Sequence, residues 1–175
     1  MRQYWLVVPV AIFTASLSNA ADYTPLTSKA RLEAGDSWTQ DGARYRLYGI
    51  QSCLRGTSFT DRAGQKRDCG EASIAVLAAF IKDIRPQCAP VTIIETTRFV
   101  LCYGTVGSQR VDLATALIME GYAFAALDAD GLPVHAPYAV AEQQARARKA
   151  GLWQFSDVQH PALLLSKAVK TRAAQ

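Results

Sequence analysis

The stretch Gln40-Asp41-Gly42-Ala43-Arg44-Tyr45-Arg46-Leu47-Tyr48-Gly49-Ile50 decides the fold class of this chain. Asp-Gly between two extended flanks is a strong hairpin signal, because both residues accept the positive φ of a tight turn. Residues 29–47 therefore read as two strands meeting at Asp41-Gly42. The second strand continues to Ile50, with Tyr45, Leu47 and Gly49 on one face and Arg44, Arg46, Tyr48 and Ile50 on the other.

Beyond it, residues 51–67 are polar, contain Gly56 and Gly64, and read as a long surface loop. Asp68 with Glu71 three positions on forms a capping box, and Ile74, Leu77, Phe80, Ile81 and Ile84 follow at helical spacing. That helix should stop before Pro86. Residues 91–95 and 99–103 read as a strand pair about Thr96-Thr97. Asp112 caps a second helix with Leu113, Ala116, Leu117 and Met119 inward and Gly121 at its end. A third helix spans residues 138–150, where Glu142 ties it to the sheet or pairs with Arg146. The order of strands, helix, strands, helix, helix makes an α+β chain whose strands could close into a small barrel.

The chain has 175 residues. Arg2, an apolar run over residues 4–13 and the small residues Ser18-Asn19-Ala20 have the three-part form of a secretory signal peptide. The run is too short to span a bilayer. Residues 1–20 are read as that signal, residues 21–155 as one domain, and residues 156–175 as a docked or fraying tail with an apolar patch at Leu163–Leu165 and a basic end. The expected location is outside the cytoplasm, periplasmic or extracellular, with Ala21 as the new N-terminus. Losing Arg2 takes the formal charge from +4 to +3. So mild a balance permits anionic ligands without arguing for nucleic acid. Cys53, Cys69, Cys88 and Cys102 are an even set in a chain sent to an oxidising compartment, and two disulfides are the natural reading. They contain no C-x-x-C pair, which argues against zinc. Cys88 and Cys102 flank the Thr96-Thr97 turn at similar distances, which pairs them across the hairpin.

Five segments occur in order: Gly35-Asp36-Ser37, Arg46-Leu47-Tyr48-Gly49-Ile50, Cys69-Gly70-Glu71-Ala72, Asp112-Leu113 with Leu117 and Gly121-Tyr122-Ala123, and Tyr138 with Glu142 leading to Gly151-Leu152-Trp153. Together they resemble the staphylococcal nuclease (thermonuclease) family. The resemblance covers most of residues 32–153. It implies a five-stranded OB-type β-barrel with three helices, calcium-dependent cleavage of phosphodiesters, and a site between barrel and first helix. On that fold the ends of the long loop approach each other, which implies the disulfide Cys53–Cys69.

Carried over singly, the family's residues give Asp36 as a candidate calcium ligand, and Arg46 and Arg98 as candidate contacts to the scissile phosphate. Two acidic positions fail. Gln51 stands where a second calcium-ligand aspartate belongs, and Leu54 where the glutamate that handles the attacking water belongs. An alignment that treats Gln51-Ser52-Cys53 as the Gln-x-Cys of some relatives loses the same two carboxylates. Calcium needs several charged oxygen ligands, and an attacking water needs an acceptor for its proton. No firmly held cofactor is expected, calcium being at most weakly bound. The reading is an exported thermonuclease-like domain impaired in catalysis that binds an anion, either nucleic acid or an acidic polysaccharide. The alternative is an active phosphodiesterase in which Asp61, Asp68, Glu71 or Glu95 supplies the missing groups. A third reading keeps the barrel for shape alone.

Overall fold

The computed structural model describes residues 23–173, so the expected signal peptide and the expected N-terminus at Ala21 lie outside it. The hairpin of the opening stretch forms as β3 (Ser37–Gln40) and β4 (Ala43–Leu47), with Asp41 and Gly42 at φ 50° and 75° in the turn. With β2 (Arg31–Ala34) they make an antiparallel meander. Tyr45 and Leu47 are buried and Arg44 is exposed, as alternation requires.

The strand does not run on to Ile50. Gly49 turns the chain at φ 75°, where an added Cβ would come within 3.1 Å of side-chain atoms of both His135 and Tyr138. β5 (Ile50–Ser52) then leaves the sheet and pairs with β11 (Ala123–Ala125), so Ile50 enters the core. The expected loop 51–67 also carries structure, since β6 (Ser58–Thr60) and β7 (Lys66–Asp68) form a second hairpin. Asp61 shapes its turn by accepting from the Ala63 and Gln65 amides, both at 2.9 Å.

Helix α1 (Cys69–Ile84) begins at Asp68, whose carboxylate accepts from the Glu71 amide at 2.9 Å. It stops at Arg85, which takes a left-handed conformation before Pro86. β8 (Gln87–Ile94) and β9 (Thr97–Val106) follow as a hairpin longer than the expected pair, then β10 (Gln109–Asp112) folds back on β9. β1 (Thr24–Pro25) borders β8. The resulting seven-stranded sheet curls into a half-barrel in the order β1-β8-β9-β4-β3-β2, with β10 on β9. Within it only β4 and β9 run parallel.

Asp112 caps α2 (Leu113–Met119) through the Thr115 amide at 3.0 Å. Its inward face is Leu113, Ala114, Leu117 and Ile118, so two of the expected positions, Ala116 and Met119, are replaced by their neighbours. α3 (Ala136–Ala147) starts two residues and ends three residues earlier than expected, and a 3-10 turn over Gly151–Gln154 follows. The tail is helical, as α4 (Pro161–Ala173), so the described residues form four α-helices where three were expected. The His160 Nδ1 accepts from the Ala162 amide at 3.1 Å at its start.

Two apolar clusters result. The larger fills the space between the curled sheet and the helices around Trp38, Leu47, Leu77 and Leu117. The smaller joins Cys53, Phe59, Cys69, Phe124 and Leu152 beneath the β6–β7 hairpin. Disulfides form between Cys53 and Cys69 and between Cys88 and Cys102, the latter joining register partners on β8 and β9. No described helix is long and apolar enough to cross a membrane.

Candidate functional site

Asp36 sits in the tight turn between β2 and β3. That turn lies against α1 because residue 35 is glycine: a Cβ there would meet the Ser73 Cβ at 2.5 Å. The contact drives the Asp36 side chain inward, to 1% exposure. Oδ2 accepts from Arg46 through Nε at 3.2 Å and Nη2 at 3.0 Å, and from the Ser52 amide at 3.2 Å. Oδ1 accepts from the Ser52 hydroxyl at 3.1 Å. Arg46 Nη2 also donates to the Gln51 side-chain oxygen. The turn, β4 and β5 are thereby joined through one buried carboxylate.

A buried charge stripped of water is tolerated only when paired and hydrogen-bonded, and Asp36 is both. Its lone pairs are committed to protein donors, three of which come from cationic or backbone nitrogen. A calcium ion at Asp36 would have to displace Arg46 and Ser52, and the nearest replacement for a second ligand, the Gln51 amide oxygen, already accepts from Arg46. The donor set does not fit a calcium site.

Arg46 leaves about a third of its side chain accessible, 34%. Arg98 lies elsewhere. In the parallel β4–β9 ladder it is the register partner of Tyr45, and Arg46 is the partner of Phe99. Successive residues of a strand face opposite ways, so Arg98 shares the Tyr45 face and Arg46 takes the other. There the Arg98 guanidinium carbon stands 5.7 Å from the Tyr45 ring centroid, and Nη1 reaches the Tyr45 hydroxyl at 3.5 Å. Tyr45 is itself stacked on Trp38 at 5.8 Å. The two arginines do not converge on one surface.

The carboxylates considered as replacements have local duties. Asp61 holds its hairpin turn and pairs with Arg67 at 2.9 Å; hydrogen bonds from Arg67 and then Gln65 lower its pKa. Burial pushes Asp68 up, but backbone bonds from Glu71, Gly56 and Gly70 leave it below the ordinary value. Glu71 is paired with Arg55. Glu95 is exposed at the tip of the β8–β9 turn. Leu54 is half-buried, and its carbonyl accepts from the Thr57 hydroxyl at 2.6 Å. Among the described residues, no three His, Cys, Asp or Glu side chains are grouped to hold a metal ion.

Ser52 is the participant that sequence reasoning passed over. A serine two residues after a buried strand start carries no distinctive signal, and its role appears only when β5 turns back past the β2–β3 turn. Glu142 is placed as expected, buried on α3, accepting from the Ala125 amide at 2.8 Å, with Arg146 at 3.9 Å. It also meets His160 Nε2 at 3.4 Å, which fastens the start of α4 to α3. Deeper in, burial and the neighbouring Asp112 push the Tyr138 hydroxyl far above its usual range, so it stays protonated. No protein-family model matches the chain, and no curated protein matches it.

Proposed function

We propose that this chain is an exported thermonuclease-like domain that has given up phosphodiester hydrolysis and acts as a binding module for anionic ligands. The strand order β2-β3-β4-β9-β8, with β4 parallel to β9 and α1 between β4 and β8, supports reading the sheet as a five-stranded OB-type barrel. Two disulfides support the exported location.

The observation that carries the reading is the occupation of Asp36. Where the resemblance expects an open carboxylate for a metal, this chain has a carboxylate filled by Arg46 and Ser52. Without a positioned proton acceptor, an attacking water loses an effect of about 10²- to 10⁴-fold. An anion can still reach the exposed part of Arg46, since arginine retains donors beyond those turned to Asp36. Arg98, on the other face of β4, takes no part, so affinity for a polyanion is modest and its salt dependence shallow.

The test is an assay of the purified protein on single- and double-stranded DNA with calcium and with chelator, together with binding at low salt. The expected result is no calcium-dependent cleavage, and binding that falls as salt rises and is indifferent to Arg98→Ala. Robust hydrolysis abolished by chelator and by Asp36→Asn would overturn the reading.

A further inference from the structure

An open cavity of about 430 Å³ lies where the last turn of α1 meets the segment after β1 and the first residue of β8. Lys82 and Arg85 line it from α1, Ser28 from the segment after β1 and Gln87 from β8, with Pro25 and Leu26 as its apolar part. It is remote from the Asp36 network. Ser73, against which the Asp36 turn packs, precedes Lys82 by a rise of about 14 Å along the helix axis.

Both charges lining the cavity are positive, and no acidic residue lines it. Spacing of three puts Lys82 and Arg85 on one side of the helix end, whereas Asp83 lies about 100° round from Lys82 and is not part of the wall. No ion pair among the described residues involves either cation. Basic residues at a helix C-terminus complement the helix dipole, but that end carries only about half a charge, which leaves most of two unit charges uncompensated. Nor does the dipole account for the backbone of Arg85, which stands at φ 45° and ψ 65° in the left-handed position that glycine takes freely and arginine takes with strain. Ser28 and Gln87 bring a hydroxyl and an amide donor to the same cavity. Charge-assisted donors converging from three segments suit the oxygens of a phosphoryl group.

We propose that this cavity binds a tetrahedral oxyanion, as free phosphate or as a phosphate monoester. Lys82 and Arg85 hold its oxygens, Ser28 and Gln87 donate to them, and the organic group of an ester rests on Pro25 and Leu26. The site is separate from Arg46 and does not rest on the reading given above.

Titration calorimetry of the purified protein at low ionic strength, with inorganic phosphate and with phenyl phosphate, gives the test. The expected result is saturable binding whose affinity falls about tenfold in Lys82→Gln and again in Arg85→Gly, each change removing a charged donor. Arg85→Gly also relieves the left-handed backbone, so this variant should melt at a higher temperature while binding less, a combination that damage to the fold cannot produce. Tighter binding of phenyl phosphate supports an ester as the ligand, and equal affinity supports the free anion. Absence of saturable binding by both probes overturns the proposal. Binding that survives Lys82→Gln and Arg85→Gly unchanged also overturns it, because the anion then sits elsewhere, and leaves the reading of Arg46 untouched. Failure of the protein to bind DNA at low salt overturns that reading and not this one.

Discussion

The turn around Asp36 and the segment between Cys53 and Cys69, separated along the chain by β3, β4 and β5, are stabilised by opposite means. Around Asp36, one buried carboxylate gathers donors from β4 and β5, and no covalent link is involved. In the segment from Cys53 to Cys69, polar groups act at the surface in turns and caps, while a disulfide and a small apolar cluster lie beneath. The hairpin there is further tied to the chain's distal part by Asp157, which accepts from the Thr60 amide at 2.9 Å and hydroxyl at 2.8 Å, by Arg62 to Gln154, and by Phe59 against Phe155 at 4.6 Å. The difference teaches where substitutions should be costly. A buried charge fails as a unit, whereas a stapled loop with several independent ties fails by degrees.

The largest effect is expected from Asp36→Ala. It leaves Arg46 without its buried carboxylate and takes from the Ser52 amide and hydroxyl their Asp36 acceptor, a loss of about 4 kcal/mol in unfolding free energy. Asp36→Asn, which keeps an acceptor for Ser52, should lose less. Denaturant titration of both variants checks the order, and equal small losses would show that the pair contributes little.

Next is the double replacement Cys53→Ser with Cys69→Ser. Constraint of the unfolded chain by a loop of this size gives about 3 kcal/mol in the chain-entropy account. Because the ties to Asp157 and Gln154 survive, limited proteolysis should first cut within residues 54–67 while the sheet remains protected. Simultaneous loss of protection in the sheet would show that the two regions form one cooperative unit.

Acid should loosen the same segment. Asp157 is lowered first by the Thr60 hydroxyl, and Asp61 first by Arg67. Asp68 is also lowered on balance. A carboxyl whose folded pKa lies below its unfolded value contributes stability that is complete above the unfolded value and lost as pH falls through the folded one. Hydrogen exchange of residues 56–71 should therefore be constant from neutral pH down to the ordinary carboxylate range. Below that range protection should drop, after allowance for the intrinsic rate. The smallest effect is expected from Arg98→Ala. This exposed side chain has only a long contact with the Tyr45 hydroxyl and its ring, so the change should stay within about 0.5 kcal/mol by thermal melting.

What the sequence made legible followed from chemistry local to a few residues. The Asp41-Gly42 turn, the Asp68 and Asp112 caps and the stop before Pro86 each depend on neighbours within about four positions, and each is where the residues put it. The β6–β7 hairpin was hidden because three-residue strands bearing one apolar side chain have too little alternation to register. The start of α4 is not legible in the sequence because histidine is not a common helix cap. At the candidate site, Asp36 and Arg46 are each legible as candidates with separate roles; their union follows from the β3–β4 register, in which Arg46 is the partner of Ser37, whereas the bonds from Ser52 depend on the chain turning back at Gly49. The face taken by Arg98 was equally hidden, because it follows from the register of two strands distant in sequence.

That register also has a kinetic meaning. Tyr45 and Arg98 are ladder partners separated by 53 positions, and the parallel pairing of their strands cannot be made by any local turn. The β2–β3–β4 meander can form as soon as its own residues are available, but its exposed edge on β4 must wait until the chain has passed through α1 and β8. Closing so long a loop precedes the reward of the contacts it enables, which slows folding relative to a protein of local contacts. During refolding, the β4 edge of the meander therefore stays open until β9 arrives. Partial unfolding that releases β9 would expose it first, making that edge the natural starting point for misassociation.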